Sequence, residues 1–279
     1  MRIIFLSLAI LLGYSVQGQA ETLEFEGRIE AVNRALVYSR AEGRVDGIYV
    51  NAGDRVMKGD LLAKLESDLA ELIVAAAEAE LDRQNALLAQ ANDNLQRAER
   101  LSQSGASSTV TLQDARTDLQ LEQAEYRAAR VALDRARIEL DDTNIRAPLS
   151  GIVETPQIGL GILLEFDAGA PPLFEILQLD PVRVVYEVPY AERLSHLVQN
   201  GGLSTEALLE RVRLDLVLPG GPVLAENITP YATSVRLNSD NGKVLVWAEV
   251  PNPDGVLRPG MRLTVHSEIT EQIQQGVGQ

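Results

Sequence analysis

Cysteine is absent from all 279 residues of the chain, and aromatic residues make up only 4% of it. The lack of cysteine excludes disulfide bonds, thiolate metal sites and cysteine nucleophiles together. A chain of this length with few large aromatic side chains is expected to fold as several small modules, not around one large core. Lysine is also scarce, since the chain has only Lys58, Lys64 and Lys243.

Basic residues are fewer than acidic ones. The chain has 25 Lys and Arg residues and 40 Asp and Glu residues, which gives a net charge of −15. Nucleic-acid binding requires a basic surface that displaces the counterions of the phosphates. Adsorption on an anionic membrane likewise requires clustered basic residues. The composition therefore argues against both kinds of partner.

The N-terminus has the pattern of an export signal. Arg2 precedes an apolar stretch at residues 3–12, and the small residues Gly18 and Ala20 fit a signal peptidase site. The apolar stretch is much shorter than the roughly 20 residues of a membrane-spanning helix. We therefore predict a signal peptide over residues 1–20, cleavage after Ala20 and location in the periplasm. The alternative is an uncleaved N-terminal anchor.

The most regular pattern lies between residues 68 and 141, where apolar residues recur every seven positions in two blocks. In the first block these are Val74, Leu81, Leu88 and Leu95, with Ala77, Gln84, Ala91 and Ala98 three residues after each. In the second block they are Leu112, Leu119, Tyr126, Leu133 and Leu140, with Ala115, Glu122, Ala129 and Ala136 between them. Such heptads predict a coiled coil, and Gln84 and Glu122 are its polar exceptions.

The two blocks are separated by Ser104 and Gly105, and neither block contains proline. Two arms of similar length around a short polar turn predict an antiparallel helical hairpin, about 50 Å long at 1.5 Å per residue. The alternative is two helices of a larger bundle. Each helix has only one narrow apolar stripe, however, so a third partner would find no apolar surface left to bury.

The segments that flank the hairpin read as short strands. Residues 35–65 contain β-branched stretches divided by Gly43, Gly47, Gly53 and Gly59, and residues 145–177 have the same character. Further strands are predicted at residues 182–188, 212–217, 244–250 and 263–269, and residues 193–211 read as helical or mixed. The resulting fold class is α+β, elongated and multidomain.

Two motifs resemble the halves of a lipoyl or biotinyl domain. The first runs from Gly43 to Leu62 as GRVDGIYVNAGDRVMKGDLL, and the second from Ile145 to Val153 as IRAPLSGIV. A lipoyl domain split by a long helical hairpin is typical of the membrane fusion proteins, also called periplasmic adaptor proteins (HlyD-like). Residues 173–182 resemble the exit from this domain into a β-barrel, and residues 257–261 resemble a late turn of that barrel.

The resemblance implies a division of the chain into seven segments. They are a signal peptide (1–20), an N-terminal strand region (21–34), a first lipoyl half (35–67), the coiled-coil α-hairpin (68–142), a second lipoyl half (143–178), a β-barrel domain (179–270) and a tail (271–279). Longer adaptors have a further, membrane-proximal domain, which we expect to be reduced or missing here.

The function implied by the resemblance is that of an adaptor in a tripartite efflux system for small molecules. Its implied partners are an inner-membrane transporter, of RND type or alternatively ABC type, a TolC-like outer-membrane channel, and further copies of itself in a ring, typically a hexamer. Arg97, Leu101 and Ser108 follow the pattern Arg-x3-Leu-x6-Ser with which adaptors dock on the channel. The barrel turn facing the transporter would consist of Arg258, Pro259, Gly260 and Met261.

The chemistry of the tip residues fits this role. Arg97 and Leu101 are four residues apart and therefore share one helix face. The guanidinium of Arg97 can donate to channel carbonyls or a carboxylate, while Ser108 has the character of an N-cap for the returning helix. The alternative is that Arg97 is a solvated helix residue and Ser108 only a cap.

No enzymatic or cofactor-binding pattern competes with this interpretation. Met57 and Lys58 resemble the modified pair of biotin carriers, but they precede the hairpin insertion instead of lying midway between the two halves. His196 and His266 are too far apart in sequence for a metal-ligand motif. We expect no enzyme activity, no cofactor and no metal. A periplasmic coiled-coil scaffold without a pump is the remaining alternative.

Overall fold

The structure is a computed structural model, which describes residues 23–104, 108–165, 169–199 and 204–269. The predicted signal peptide and C-terminal tail lie outside the described residues. The elements in chain order are β1 (Leu23–Val37), β2 (Gly43–Ile48), β3 (Arg55–Val56), β4 (Leu61–Leu65), α1 (Asp68–Gln103), α2 (Thr109–Asp141), β5 (Asn144–Arg146), β6 (Gly151–Val153), β7 (Leu163–Leu164), β8 (Phe174–Pro189), α3 (Tyr190–Gln199), α4 (Thr205–Leu209), β9 (Val212–Val217), β10 (Val223–Ile228), β11 (Pro230–Thr233), β12 (Lys243–Val250) and β13 (Arg262–Ile269).

The chain divides into two compact units, and β1 and β8 each contribute residues to both. Residues 33–178 form the first unit, which contains a small sheet in the order β5-β4-β2-β7 and a second group in which β6 pairs with β3 and β8. Leu62, Leu65, Phe174 and Ile176 are fully buried in its core. This core joins residues from both sides of the hairpin, as a split lipoyl-like domain requires.

Antiparallel pairing explains how the sheet accommodates the long insertion. Strand β4 leads into α1, α2 leads back into β5, and these two strands pair with Lys64 opposite Asn144. The Leu65 N–H donates to the Thr143 carbonyl at 2.9 Å, directly below the helices. The chain thus leaves and returns at one place, so the insertion adds little beyond the entropy of loop closure.

The hairpin itself consists of helices of 36 and 33 residues. All the predicted seam positions of both arms are buried or half-buried, whereas most positions outside the seam are exposed. Gln84, Ala91 and Ala98 are buried on α1, and Ala129, Leu133 and Ala136 are buried on α2. The predicted coiled coil is confirmed. No helix in the described part of the chain is long and apolar enough to span a membrane.

The second unit consists of the described residues before position 33 and after position 178, and its strands follow the order β10-β9-β13-β1-β8-β12-β11. This barrel-like sheet encloses a core that includes Ile29, Val184, Leu214 and Val265, each no more than 1% exposed. The α+β, multidomain fold expected from the sequence is therefore confirmed. The strand predictions missed β10 and β11, which lie between two of the predicted strands.

Candidate functional site: the hairpin tip

The tip of the hairpin is closed by a cap on each helix. The backbone N–H of Ser104 donates to the Arg100 carbonyl at the end of α1, and the Ser104 hydroxyl donates to the Leu101 carbonyl at 2.9 Å. At the start of α2, the Ser108 Oγ accepts the Thr111 N–H at 3.2 Å from an extended backbone conformation. Ser108 is thus the N-cap that the sequence predicts, and it satisfies one of the free N–H groups of the first turn.

Two of the predicted docking side chains lie on the exposed surface of the last turns of α1. Arg97 is exposed, and its guanidinium donates to the Asn94 side chain one turn earlier. Leu101 is 50% exposed although it is apolar. The neighbouring Ala98 is only 6% exposed and packs in the seam. The seam therefore fixes the helix rotation that presents Arg97 and Leu101 to solvent.

The last turns of α1 and the start of α2 carry an exposed cation, an exposed apolar side chain and an exposed hydroxyl. Asn94 occupies one donor of Arg97, and a guanidinium carries five N–H donors in total. Such a group can still bind carbonyl or carboxylate oxygens of another protein.

The predicted barrel turn is well ordered by backbone hydrogen bonds. The Gly260 N–H donates to the Ile29 carbonyl, and the Ile29 N–H donates to the Met261 carbonyl, both at 2.9 Å. Gly260 has a φ of +90°, a conformation that favours glycine. Arg258 and Pro259 are exposed, while Met261 is half-buried.

The preceding loop is anchored by one buried amide, that of Asn252. Its Nδ2 donates to the carbonyls of Leu179 and Leu257, and its Oδ1 accepts the Leu257 N–H. These bonds hold the loop before the 258–261 turn against Leu179, where β8 enters the barrel unit.

The residues considered for other chemistry lie on different elements. Met57 and Lys58 are exposed in the turn between β3 and β4, where the Lys58 N–H donates to the Ser150 Oγ at 2.9 Å. His266 lies on β13 with its Nε2 3.5 Å from a Glu24 carboxylate oxygen. The side chain of His196 lies outside the described residues. Among the described residues, no group of His, Asp and Glu has a metal-binding arrangement.

Sequence reasoning missed one surface feature, the apolar stripe of α3. Tyr190, Leu194 and Val198 recur every four residues and are all exposed, with Val198 at 70%. The spacing of four is a readable signal. It is hidden when residues 193–211 are read only as a helical or mixed stretch.

Comparison with known proteins supports the same architecture. Residues 33–170 match the family described as CzcB-like, barrel-sandwich hybrid domain. The membrane fusion protein Spr0693 from Streptococcus pneumoniae R6 superposes with a TM-score of 0.68 at 17% identity, covering 89% of this chain and 100% of that chain. The chain therefore contains a region similar to the CzcB-like, barrel-sandwich hybrid domain and shares the fold of this membrane fusion protein.

Two curated relatives of the chain are named multidrug resistance protein MdtA. The protein from Photorhabdus laumondii subsp. laumondii is 30% identical over 163 residues, which cover 58% of this chain and 40% of the relative. The protein from Proteus mirabilis is 26% identical over 248 residues, covering 88% of this chain and 58% of the relative. The chain thus spans about half the length of the curated relatives it matches.

Proposed function

We propose that this chain is a membrane fusion protein and acts as the periplasmic adaptor of a tripartite efflux system. In this role it joins an inner-membrane transporter to a TolC-like outer-membrane channel and contributes no chemistry of its own. The observation that carries the proposal is the long helical hairpin inserted into the small sheet, with an exposed and capped tip. A hairpin that extends roughly 50 Å from its sheet gives a recognition surface a long reach.

The proposed channel contact consists of Arg97, Leu101 and Ser108. Arg97 would donate hydrogen bonds to carbonyl or carboxylate oxygens of the channel. Hydrogen bonds from a charged donor are stronger than those between neutral groups. Leu101 would lose its exposed apolar surface in the contact. Ser108 holds the start of α2, so it positions the tip as well as offering a hydroxyl.

The transporter side of the proposal rests on family resemblance and on the names of the relatives. An RND-type transporter is favoured and an ABC-type exporter is second, with small molecules as the transported class. The turn formed by Arg258, Pro259, Gly260 and Met261 remains the predicted transporter-facing part of the barrel. Several copies are proposed to form a ring, with the hexamer as the expected number. Export by the predicted signal peptide would place the chain in the periplasm.

Cross-linking in cells tests the channel contact directly. The cysteine-free chain allows a single cysteine at Ser104, and the proposal expects an adduct with an outer-membrane channel. Arg97→Asp or Ser108→Arg should remove the adduct, because each places an unfavourable charge or bulk at the tip. Arg127→Asp is the matched control, since Arg127 is also exposed but lies about 28 Å along α2 from Ser108. An exported, folded protein that gives no adduct would refute tip docking.

A further inference from the structure

Helix α3 buries a cation within the barrel unit. Arg193 is only 7% exposed, and its Nη2 is fully buried with no hydrogen-bond partner among the described residues. Arginine side chains usually cover apolar surface with their stem and keep the charged head in water. A buried charge is costly unless another group pairs with it. The fold therefore keeps unused donor capacity on a buried guanidinium.

The attachment of α3 to the barrel explains why Arg193 turns inward. The helix begins directly after β8, and the Tyr190 N–H donates to the Gly242 carbonyl at 3.1 Å. Arg193 lies three residues after Tyr190 and four before Leu197, so the three side chains share one helix face. Arg193 is buried and Leu197 is half-buried on this face, whereas the adjacent Glu192 is exposed. The rotation of the helix thus directs Arg193 towards the barrel.

Two tyrosines lie close enough to Arg193 to interact with it electrostatically, Tyr190 on the same helix and Tyr186 on β8. Tyr186 is 3% exposed in the barrel core, and its ring centroid lies 5.7 Å from that of Phe25. Burial raises the pKa of the Tyr186 hydroxyl, so this group stays neutral and cannot balance the guanidinium as a phenolate. The surroundings of Arg193 therefore combine one positive charge, phenol groups and apolar rings.

We propose that Arg193 is the anion-binding group of a small-molecule site beneath α3, and that the site takes a small organic carboxylate with an apolar body. The guanidinium can donate two parallel hydrogen bonds to the two oxygens of a carboxylate. The rings of Tyr186 and Phe25 would contact the apolar body of the ligand. The inference goes beyond the proposed adaptor function and does not depend on it.

Charge distinguishes a carboxylate from other anions. One guanidinium balances one negative charge, so a carboxylate fits Arg193 better than a phosphate dianion, whose second charge would remain unpaired at a buried site. The chain as a whole has a net charge of −15 and repels anions. Saturable binding of a carboxylate would therefore require a specific cation.

Burial distinguishes a small molecule from a protein partner. A carboxylate on the surface of a folded protein would have to reach a side chain that is only 7% exposed. A small molecule needs only a brief local opening of α3, and short surface helices open more readily than the core. The cost of burying the cation is already part of the free energy of folding, so the guanidinium is preorganised for its ligand.

An NMR titration of the purified full chain with sodium benzoate, at constant ionic strength, tests the proposal. We expect saturable shifts of the Arg193 Nε–H and of the Tyr186 ring, with a dissociation constant of about 1 mM, as for a small ligand held by one bidentate pair. Acetate has the carboxylate without the ring and should bind several-fold more weakly. Inorganic phosphate should bind more weakly than benzoate.

Substitutions of Arg193 separate its charge from its geometry. Arg193→Met should weaken benzoate binding at least tenfold, because the charged donor is lost. Arg193→Lys keeps the charge without the two-pronged donor and should have an intermediate affinity. Arg236→Met, which removes an exposed arginine from the same unit, is the matched control and should change the affinity less than twofold. Unfolding followed by Trp247 fluorescence verifies that each variant is folded.

Each remaining outcome counts against the proposal. Benzoate shifts that do not saturate, or that persist with the same affinity in folded Arg193→Met, would overturn the site. Tighter binding of phosphate than of benzoate would overturn the carboxylate class. If no small anion binds but Arg193→Met loses a protein that co-purifies with the chain from cells, the guanidinium pairs with a protein carboxylate and the small-molecule site is wrong. Channel adducts from Ser104→Cys test the adaptor function independently of these results.

Discussion

The hairpin and the barrel unit achieve stability in different ways. In the hairpin, the closest contacts are made by small residues such as Ala91, Ala98 and Ala129, and long stretches of each helix are exposed. In the barrel, large side chains such as Leu214 and Leu216 are fully buried. The hairpin is therefore a stack of similar layers that can open locally, whereas the barrel is one cooperative core. The hairpin thus attains its length with little buried area per residue.

Both regions also contain a buried polar side chain that is not fully satisfied. In the hairpin seam, the Gln84 Nε2 donates to Glu80 at 2.9 Å, but its Oε1 has no partner among the described residues. In the barrel unit, burial lowers the pKa of Arg193, and no described carboxylate pairs with it. Each group costs stability. The stability of each region can be measured separately. Fluorescence of Trp247, the single tryptophan, reports on β12 in the barrel. Far-ultraviolet circular dichroism reports mainly on the hairpin, which contains most of the described helix.

The largest expected effect comes from truncating the barrel core. Leu214→Ala should lower the free energy of unfolding by about 2–5 kcal/mol, because it leaves a cavity in a fully packed site. Denaturation followed by Trp247 fluorescence measures it. Leu88→Ala, at a half-buried seam position, is the matched change in the hairpin and should cost about 1 kcal/mol in the far-ultraviolet circular dichroism transition. If each variant lowered the stability equally by Trp247 fluorescence and by circular dichroism, the barrel and the hairpin would unfold in one cooperative transition.

Removal of the buried cation should stabilise the barrel. Arg193→Met keeps most of the apolar stem and removes a charge that has no described partner, so the free energy of unfolding should rise by about 1–2 kcal/mol. Trp247 fluorescence again reports the change, and the exposed Arg236→Met serves as the control with no expected gain. A loss of stability in Arg193→Met would contradict this prediction and show that the buried guanidinium stabilises the barrel.

The corresponding change in the hairpin is Gln84→Leu. It replaces a half-satisfied amide in the seam with an apolar side chain and should stabilise the helices by about 1 kcal/mol. The same change removes a polar layer, and such layers restrict the register of coiled coils. Helix melting by circular dichroism measures the first effect. Gln90→Leu, at an exposed position of α1, should leave the melting temperature nearly unchanged.

Removal of the tip cap should have a local effect. Ser108→Ala loses the acceptor for the Thr111 N–H and should destabilise the start of α2 by about 1 kcal/mol. Hydrogen exchange should become faster for Thr111 and the neighbouring amides, while amides near Leu133 keep their rates. Ser108→Asp, which restores an acceptor, is expected to restore slow exchange. Uniformly faster exchange along both helices would contradict the layered description of the hairpin.

The smallest expected effect is a pH dependence confined to the hairpin surface. Hydrogen bonds from Arg83 and then from Gln84 lower the pKa of Glu80 from 4.5 to about 2. A lowered pKa in the folded state contributes stability above the unfolded pKa, and that contribution is lost as the pH falls from about 4.5 towards 2. NMR titration should show the Glu80 pKa rising towards its ordinary value in Arg83→Gln. An unchanged pKa in that variant would exclude the ion pair as the cause.

The hairpin is well predicted from the sequence because its determinants are local. A seven-residue repeat can be counted directly, and the repeat alone identifies the buried seam of α1 and α2. Ser108 is recognisable as a cap because N-caps depend on only a few neighbouring residues. Family resemblance supplies what periodicity cannot, namely that the strands on both sides of the hairpin form one domain.

The barrel is less predictable because its determinants are distant in sequence. Strands β10 and β11 were missed, since Glu226, Asn227 and Pro230 interrupt any apolar alternation and only pairing with β9 and β12 makes these segments strands. The pairing of β1 with β13 joins residues more than two hundred positions apart. The exposed face of α3 depends on which side of the helix the barrel covers, and no single-helix pattern decides that.

The central claim is that one chain connects two membrane proteins, and isolation of the connected complex tests it most directly. Cells carrying the chain with a single cysteine at Ser104 would be cross-linked, solubilised in detergent and purified through a tag on the inner-membrane transporter. We expect the outer-membrane channel to co-purify in the same particle and Arg97→Asp to remove it. Recovery of the channel at the same level without this chain would contradict the claim.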